Sequence, residues 1–237
     1  PRRPGDTDIW RFGQAFKISS DDGDRDLFQN TFLVYDQQQQ ASYLHYRDTN
    51  PAGNHRRRTF NNIFIAVNPN SGSDRAITFI PSPGFHGDTD GNNYYRIGFK
   101  TNPLFRYLEY TFNGNPPCPD GAPCEGSKFS SLGALHASLL FEQSQSQYPP
   151  GYEANSIEED PQFCQFDPNG IPYQTDDLRL KTTSPARGKG VRLPDELHAL
   201  DPLAPTDDNV KPDIGCFPFD CCPLQVGIDS RRSYPSA

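Results

Sequence analysis

One motif recurs at a nearly constant interval in the first hundred residues of the chain. Residues 28–35 and 60–67 align at an offset of 32, and a third copy near residue 93 follows 31 residues later. Each copy places an asparagine two residues before an aromatic side chain, and the flanking apolar alternation also matches. A period of this size marks stacked supersecondary units, none of which buries its apolar face alone. The sequence therefore predicts a repeat protein.

The stretch from Glu158 to Phe219 carries a second pattern, made of turns, one short strand and a closing loop. In chain order it reads Asp160, Pro161, Phe163, Leu178, Leu180, Ser184, Pro185, Ala186, Gly188, Pro212, Asp213, Ile214 and Gly215. This order resembles the C-terminal end of secreted pectate-lyase-like β-helix proteins. The resemblance implies an all-β, right-handed parallel β-helix, with rungs over 1–143 and a Pro-rich, irregular capping segment of the same domain over 144–237.

Equivalent positions of such a repeat are expected to stack from rung to rung. We expect Asn30, Asn62 and Asn93 to occupy equivalent bends and to form a ladder of hydrogen-bonded amides. The matching aromatic ladder inside the coil would be Phe32, Phe64 and Tyr95. Further strand-like runs are bounded by Gly, Pro, Asn and Asp clusters. They cover residues 16–18, 42–46, 76–80, 105–112 and 134–141.

Composition agrees with many short strands and excludes some classes of function. The chain of 237 residues has 24 prolines, 19 glycines and no methionine, and its length suits one domain. A net charge of −8 argues against a nucleic-acid partner, because phosphate contacts need a basic face. Its aromatic content of 12% argues against disorder, and no apolar run is long enough to cross a bilayer.

Six cysteines favour an oxidising, extracellular or cell-surface location. Cys118 and Cys124 flank a Pro-Asp-Gly turn and form the most plausible local disulfide, whereas the adjacent Cys221 and Cys222 are expected to bond to different partners. A zinc site is the alternative. It lacks a Cys-x-x-Cys pair and a matching histidine pair, so no metal ligand is predicted.

A β-helix polysaccharide lyase needs a base next to a uronate carboxyl and a cation that stabilises the enolate-like charge. If Phe16 and Ile18 point inward, the strand alternation places Lys17 outside, and it likewise exposes alternate residues of the run 42–46. The alternative interpretation is ordinary solvated surface. The candidates are Lys17, His45 and Arg47 for catalysis, and Tyr43, His55, Arg56, Arg57 and Arg58 for substrate binding, the last four otherwise being a solvated basic loop.

Acidic clusters offer glycoside hydrolysis or Ca²⁺ binding as a further alternative. They comprise Asp21, Asp22, Asp24, Asp26, Asp88 and Asp90. Such clusters commonly form turns, and neither matches the twelve-residue EF-hand loop. The sequence thus leaves the cofactor open.

Two functions remain from the sequence. The first is a secreted carbohydrate-active or carbohydrate-binding β-helix module resembling polysaccharide lyases, with a polysaccharide as its ligand. The second is a non-catalytic extracellular structural or adhesive protein. In either case we expect another segment or chain to cover the N-terminal rung beside Phe16–Ile18, because an uncovered rung exposes strand edges.

Overall fold

The computed structural model describes residues 13–18, 25–35, 41–46, 57–67, 78–80, 87–97, 105–107, 128–137, 151, 153–168, 176–201, 205–207 and 209–216. These parts are mostly sheet. The strands are β1 Gly13–Ile18, β2 Arg25–Phe28, β3 Thr31–Tyr35, β4 Ala41–Tyr46, β5 Arg57–Phe60, β6 Ile63–Val67, β7 Thr78–Ile80, β8 Gly87–Asp90, β9 Asn93–Ile97, β10 Phe105–Tyr107, β11 Lys128–Phe129, β12 Phe163–Gln165 and β13 Asp177–Leu180. Two short helices, α1 Leu132–His136 and α2 Asp195–His198, accompany them.

The chain adds one strand to each of three parallel sheets in turn. Their strand orders are β2-β5-β8, β3-β6-β9 and β1-β4-β7-β10, with β11 antiparallel at the edge of the last. Each strand therefore pairs with the strand three elements later, and the chain visits the three sheets in turn. We call one passage through β2-type, β3-type and β4-type strands a rung. The fold is all-β, as predicted.

The repeat keeps its predicted register between the first two rungs and slips by one residue in the third. Phe32 lies opposite Phe64, but Phe64 lies opposite Tyr94 and not Tyr95. The third rung holds two asparagines and two tyrosines in succession, so the sequence pattern matches equally well one residue too late. A slip of one residue moves a side chain to the other face of a sheet. The predictions for Asn93 and Tyr95 are therefore wrong, and the equivalent residues are Asn92 and Tyr94.

The middle strand of the sheet β3-β6-β9, β6, is buried on both faces. On its inner face the rings of Phe32 and Phe64 stack at 5.1 Å, and those of Phe64 and Tyr94 at 5.2 Å, with interplanar angles of 8° and 10°. Its outer face presents Ile63 and Ile65 to the C-terminal segment. There they form an apolar cluster with Val67, Phe163, Leu180, Ala186 and Ile214. Burial on both faces explains why β6 reads as an almost continuous apolar run.

The C-terminal segment lies mainly along the side of the rungs. Its antiparallel pair β12-β13 covers the outer face of β3-β6-β9, while Leu193 and Leu197 pack on Phe60 of the neighbouring sheet. The short stretch 153–157 is different, because Ile157 pairs with Asn93 of the third rung. The capping segment predicted over the end of the rungs thus covers two outer faces as well.

The predicted strand over 134–141 is wrong at its beginning, where helix α1 lies instead. Ser131 Oγ accepts a hydrogen bond from the backbone N–H of Ala134 and caps this helix. Leu132 and Leu135, three residues apart, are both buried, which is the spacing of a helical face. Residues 138–141 lie outside the described parts of the chain.

Candidate functional site

Each asparagine of the ladder follows a residue with left-handed backbone. The preceding residues are Gln29, Asn61 and Gly91, with φ of 56°, 55° and 66°. This conformation turns the chain sharply between two strands, and glycine adopts it without strain. Gly91 has a further reason, because a Cβ atom there would collide with the side-chain oxygen of Asn61.

Hydrogen bonds join the three asparagines in one direction. The backbone N–H and the side-chain amide of Asn30 both donate to Asn62 Oδ1 at 3.0 Å. In the same way, the backbone N–H and side-chain amide of Asn62 donate to Asn92 Oδ1 at 2.9 and 3.1 Å. Asn62 in the middle rung therefore accepts from the rung before it and donates to the rung after it. The predicted amide ladder is confirmed for Asn30 and Asn62, with Asn92 in the third place.

The ladder closes on the stretch 153–157. The backbone N–H of Asn92 donates to Ser156 Oγ at 2.8 Å, and its side-chain amide donates to Glu153 Oε2 at 3.1 Å. Two residues thus divide the acceptor role that one asparagine oxygen plays in the earlier rungs. The sequence pattern does not predict these acceptors for Asn92, because neither Ser156 nor Glu153 belongs to a copy of the asparagine motif.

The carboxylate of Glu153 is 1% exposed and lies at the end of both ladders. It accepts hydrogen bonds from Tyr94 Oη at 2.5 Å, from Thr89 Oγ1 at 2.7 Å and from the hydroxyl of Ser156. Burial raises the pKa of Glu153, and these hydrogen bonds oppose the rise. Because solvent does not reach the carboxylate, it is suited to holding the rungs together and not to reacting with a polymer.

The backbone of Glu153 is fixed as firmly as its side chain. Its φ is 59°, its N–H donates to the carbonyl of Thr89 at 2.7 Å, and its carbonyl accepts from His136 Nε2 at 2.9 Å. Helix α1 thereby contributes to the cap through His136. The structure thus gives His136 a structural partner.

The predicted basic loop 55–58 ends inside strand β5, so its last residue is not solvated. The guanidinium of Arg58 is 3% exposed and pairs with Asp26 at 2.7 Å and with Glu196 at 2.6 Å. Arg58 thus links two rungs and helix α2. Arg57 lies in the same strand, whereas His55 and Arg56 lie outside the described residues.

Two residues of the predicted acidic clusters, Asp26 and Asp90, are built into the scaffold. Asp26 pairs with Arg58, and the buried Asp90 accepts from the backbone N–H of Gly91 and from Asn155 at 2.6 to 2.8 Å. Asp21, Asp22 and Asp24 lie outside the described parts. Among the residues that the structure does describe, no group of three or more His, Cys, Asp or Glu could hold a metal ion.

The five-stranded sheet brings together three of the predicted site residues. Lys17 of β1 lies opposite His45 of β4, and Tyr43 precedes His45 by two residues on the same strand and hence shares its face. Arg47 lies outside the described residues. The basic residues of β5 belong to another sheet and do not join this group.

Sequence reasoning missed two basic positions of the same row. Arg106 of β10 lies opposite Phe79 of β7 on one side and Lys128 of β11 on the other. Because Leu44 pairs with Thr78, the next position along brings His45 into the row of Phe79. The row then runs Lys17, His45, Phe79, Arg106 and Lys128 across the sheet. A signal was present, since Phe105-Arg106-Tyr107 repeats the apolar-basic-apolar pattern of Phe16-Lys17-Ile18.

Only two cysteines fall within the described residues. Cys164 is in a disulfide whose other half lies outside them, and Cys216 is a free thiol. The predicted bond between Cys118 and Cys124, and the predictions for Cys221 and Cys222, also concern residues outside the described parts.

Comparison with protein-family models, with curated proteins and with solved structures gave no match. None of the helices that the structure describes is long and apolar enough to span a bilayer.

Proposed function

We propose that the chain is a right-handed parallel β-helix that acts outside the cell and binds an acidic polysaccharide along its five-stranded sheet. Three parallel sheets visited in turn, with stacked asparagines and aromatics between them, support the β-helix. Its right-handed course follows from the strong preference of parallel crossover connections. The basic row from Lys17 to Lys128 is the observation that carries the choice of ligand.

The other two sheets are poorly suited to a long ligand. The outer face of β3-β6-β9 packs against β12 and β13, and Phe60 of β5 packs against Leu193 and Leu197. Apolar burial of this kind excludes a polar polymer from both faces. The proposed binding face is therefore the third sheet.

A row across parallel strands matches an extended polyanion in shape and charge. Neighbouring strands lie about 4.8 Å apart, so the row from β1 to β11 spans about 19 Å. Four of its five positions are basic in a chain whose net charge is −8. Such a local concentration attracts carboxylate or sulfate groups even in an acidic protein.

The row also contains groups that suit β-elimination. Lys17 or His45 would act as the base that removes the proton next to a uronate carboxyl, and Arg106 would stabilise the negative charge that develops. A C=C bond would then form as the adjacent C4–O glycosidic bond breaks, and the leaving oxygen would take a proton from the protonated base or from water. Non-catalytic binding is the alternative within the same proposal. In that case the rungs serve as a stiff structural or adhesive element that holds the polymer.

Binding of polygalacturonate, with neutral dextran as the reference polymer, tests the proposal. We expect saturable, salt-sensitive binding of polygalacturonate by the full chain, and at least about tenfold weaker binding by the double variant Lys17→Ala/His45→Ala. The matched control is Lys189→Ala/Lys211→Ala, which removes two exposed positive charges from the C-terminal segment. Equal losses in both double variants, or equal binding of dextran, would contradict the proposed site.

The same polymer separates catalysis from binding. An increase in ultraviolet absorbance from unsaturated uronates, lost in Lys17→Ala or His45→Ala, would identify a lyase. Binding without any such product would favour the structural or adhesive role. Absence of binding by the unmodified chain would reject the acidic-polysaccharide proposal as a whole.

A further inference from the structure

Glu153 carries a buried carboxyl group that is surrounded by uncharged donors. The residue is 1% exposed, and its side-chain oxygens accept from Thr89, Asn92, Tyr94 and Ser156. Among the described residues, no Lys, Arg or His side chain pairs with this carboxyl. Buried charges in proteins are normally paired, because an isolated carboxylate is costly to remove from water. The closed structure therefore favours the neutral, protonated form of Glu153.

The hydroxyl groups around Glu153 are compatible with a protonated carboxyl. A hydroxyl both donates and accepts, and it has two acceptor lone pairs. Ser156 Oγ accepts from the backbone N–H of Asn92 at 2.8 Å while it also bonds to Glu153. Thr89 Oγ1 likewise accepts from the side-chain amide of Asn92 at 3.2 Å and bonds to Glu153 at 2.7 Å. Each hydroxyl retains a lone pair, so one of these bonds can reverse when Glu153 carries a proton.

Strand β8 holds the turn 153–157 without supplying a cation to it. Thr89 faces Glu153, so strand alternation directs the neighbouring Asp88 and Asp90 to the other side of the strand. Asp90 accepts from the backbone N–H and the side-chain amide of Asn155 at 2.6 and 2.7 Å. The turn is thus fastened to β8 through Asp90, and the charge of Asp90 is engaged there.

Strand β9 and helix α1 are linked to the same turn. Arg96 of β9 pairs with Glu158 at 3.0 Å, and Glu158 also accepts from the backbone N–H of Leu132 at 3.2 Å. His136 Nε2 donates to the backbone carbonyl of Glu153 at 2.9 Å and not to its carboxyl. A helix of five residues is not stable by itself. Helix α1 therefore keeps its place only while the turn keeps its own.

We propose that Glu153 is a proton-dependent latch that holds the turn 153–157 and helix α1 on the third rung. While the carboxyl is protonated, both stay closed. Loss of the proton leaves a buried negative charge without a cation, and opening of the turn lets water reach it. Opening breaks the backbone bonds from Glu153 to Thr89 and from Ile157 to Asn92, at 2.7 and 2.8 Å, and removes the support of α1. The latch does not depend on the polysaccharide proposal.

The latch is closed at low pH and loosens as the pH rises. Burial raises the pKa of Glu153 above its ordinary value of 4.5, and its hydrogen bonds oppose the rise. Below that value the group is protonated whether the turn is closed or open. As the pH rises through the raised pKa, the closed form loses its proton and with it its advantage over the open form. The opening is local, so it needs less free energy than unfolding of the whole chain.

Amide hydrogen exchange of the full chain at about pH 5 and about pH 8 tests the latch. Rates are expressed as protection factors, which removes the intrinsic pH dependence of exchange. The amides of Leu135, Ala137 and Ile157 should lose protection by about tenfold or more at the higher pH. Those of Gly190 and Ile214, hydrogen-bonded within the C-terminal segment at 2.9 Å, should keep theirs. An equal loss at all five amides, or no loss at any, would overturn the proposal.

The variant Glu153→Gln, which is neutral at every pH, assigns the effect to its residue. It should keep the protection of Leu135 and Ile157 constant between the two pH values, whereas Glu159→Gln should behave like the unmodified chain. Histidine also titrates in this range, so a trend that survives in Glu153→Gln would assign it to His136 and reject the latch. A ¹³C carboxyl titration of the unmodified chain needs no substitution. A midpoint for Glu153 above 4.5 supports the latch, and one at or below 4.5 overturns it.

Discussion

The side-chain amide of Asn92 donates to the buried carboxylate of Glu153 at 3.1 Å, where each earlier rung presents an asparagine oxygen. The same carboxylate accepts from Tyr94, the last ring of the aromatic stack. One acidic side chain therefore closes both ladders. Closure satisfies the amide donors at this end, which would otherwise be buried without partners at a cost of about 1–3 kcal/mol each.

Glu153 should make stability depend on pH. Burial raises its pKa in the folded chain above the ordinary value of 4.5. A raised carboxyl pKa means that the folded state favours the protonated form, so this contribution is complete below about pH 4.5 and is lost as the pH rises through the folded pKa. Glu153→Gln keeps the group neutral at every pH. Relative to this variant, the unfolding free energy of the unmodified chain should fall as the pH rises from 4.5.

Urea denaturation at several pH values measures that difference. Glu159→Gln is the matched control, because Glu159 is exposed and lies six residues away. The control should show no comparable trend. If the unfolding free energy of the unmodified chain instead rises relative to Glu153→Gln as the pH increases, the four hydrogen-bond donors lower the folded pKa of Glu153 by more than burial raises it.

The sequence repeat assigned the ladder position to Asn93, whereas the structure assigns it to Asn92. Substitution of Asn92 should therefore lower stability more than substitution of Asn93. Asn92→Ala should lower the unfolding free energy by about 3 kcal/mol, since it leaves Asn62 and Glu153 without ladder partners. Asn93→Ala should cost less than about 1 kcal/mol. Among the described residues, its Oδ1 accepts one bond, from the backbone N–H of Glu159, and its Nδ2 has no hydrogen-bond partner. Equal losses, or a larger loss for Asn93, would contradict the assigned register.

The aromatic stack predicts a similar contrast. Phe64 is completely buried between two rings, so Phe64→Ala should cost about 3–5 kcal/mol. Tyr95→Ala, on the partly buried outer face, should cost clearly less. Chemical denaturation monitored by fluorescence gives both values. If Tyr95 proves the more costly position, the inner and outer faces of β9 are reversed.

Arg58 should be important for stability although it carries a charge. Its guanidinium is nearly buried and bridges Asp26 and Glu196, so Arg58→Ala should cost about 2–3 kcal/mol by leaving Asp26 without its cation. Arg192→Ala is the comparison, because the ion pair between Arg192 and Asp195 is largely exposed and should contribute at most about 0.5 kcal/mol. Thermal unfolding at low and moderate salt measures both. Indistinguishable unfolding of the two variants would show that the Arg58 bridge is not formed.

Local pattern was sufficient to predict much of the scaffold. Alternation of apolar and polar residues, together with the bounding Gly, Pro, Asn and Asp clusters, predicted strands at 16–18 and 42–46. The 32-residue offset paired Phe32 with Phe64 correctly. The third rung failed because its neighbouring asparagines and tyrosines fit the pattern in two registers. Tertiary contacts decide between them, since only Asn92 and Tyr94 reach Glu153.

The missed features depend on residues far apart in the chain. Arg58 is 138 positions from Glu196, and Tyr94 is 59 positions from Glu153. No periodicity links such pairs, so Arg58 was interpreted as part of a basic loop and no role was predicted for Glu153. Strand alternation predicted the same outer face for Lys17 and His45, but their register comes from the pairing of β1 with β4, which local pattern does not specify.

Nuclear magnetic resonance of the full chain with ¹⁵N-labelled asparagine tests the ladder most directly. The side-chain amide protons of Asn62 should show nuclear Overhauser contacts to the side chain of Asn92 and to that of Asn30, and should exchange slowly with solvent because they are buried and hydrogen-bonded. Asn93 should give no contact to the side-chain amide of Asn62. Contacts from Asn62 to Asn93, or rapidly exchanging amides without contacts between rungs, would contradict the ladder and with it the stacked-rung structure.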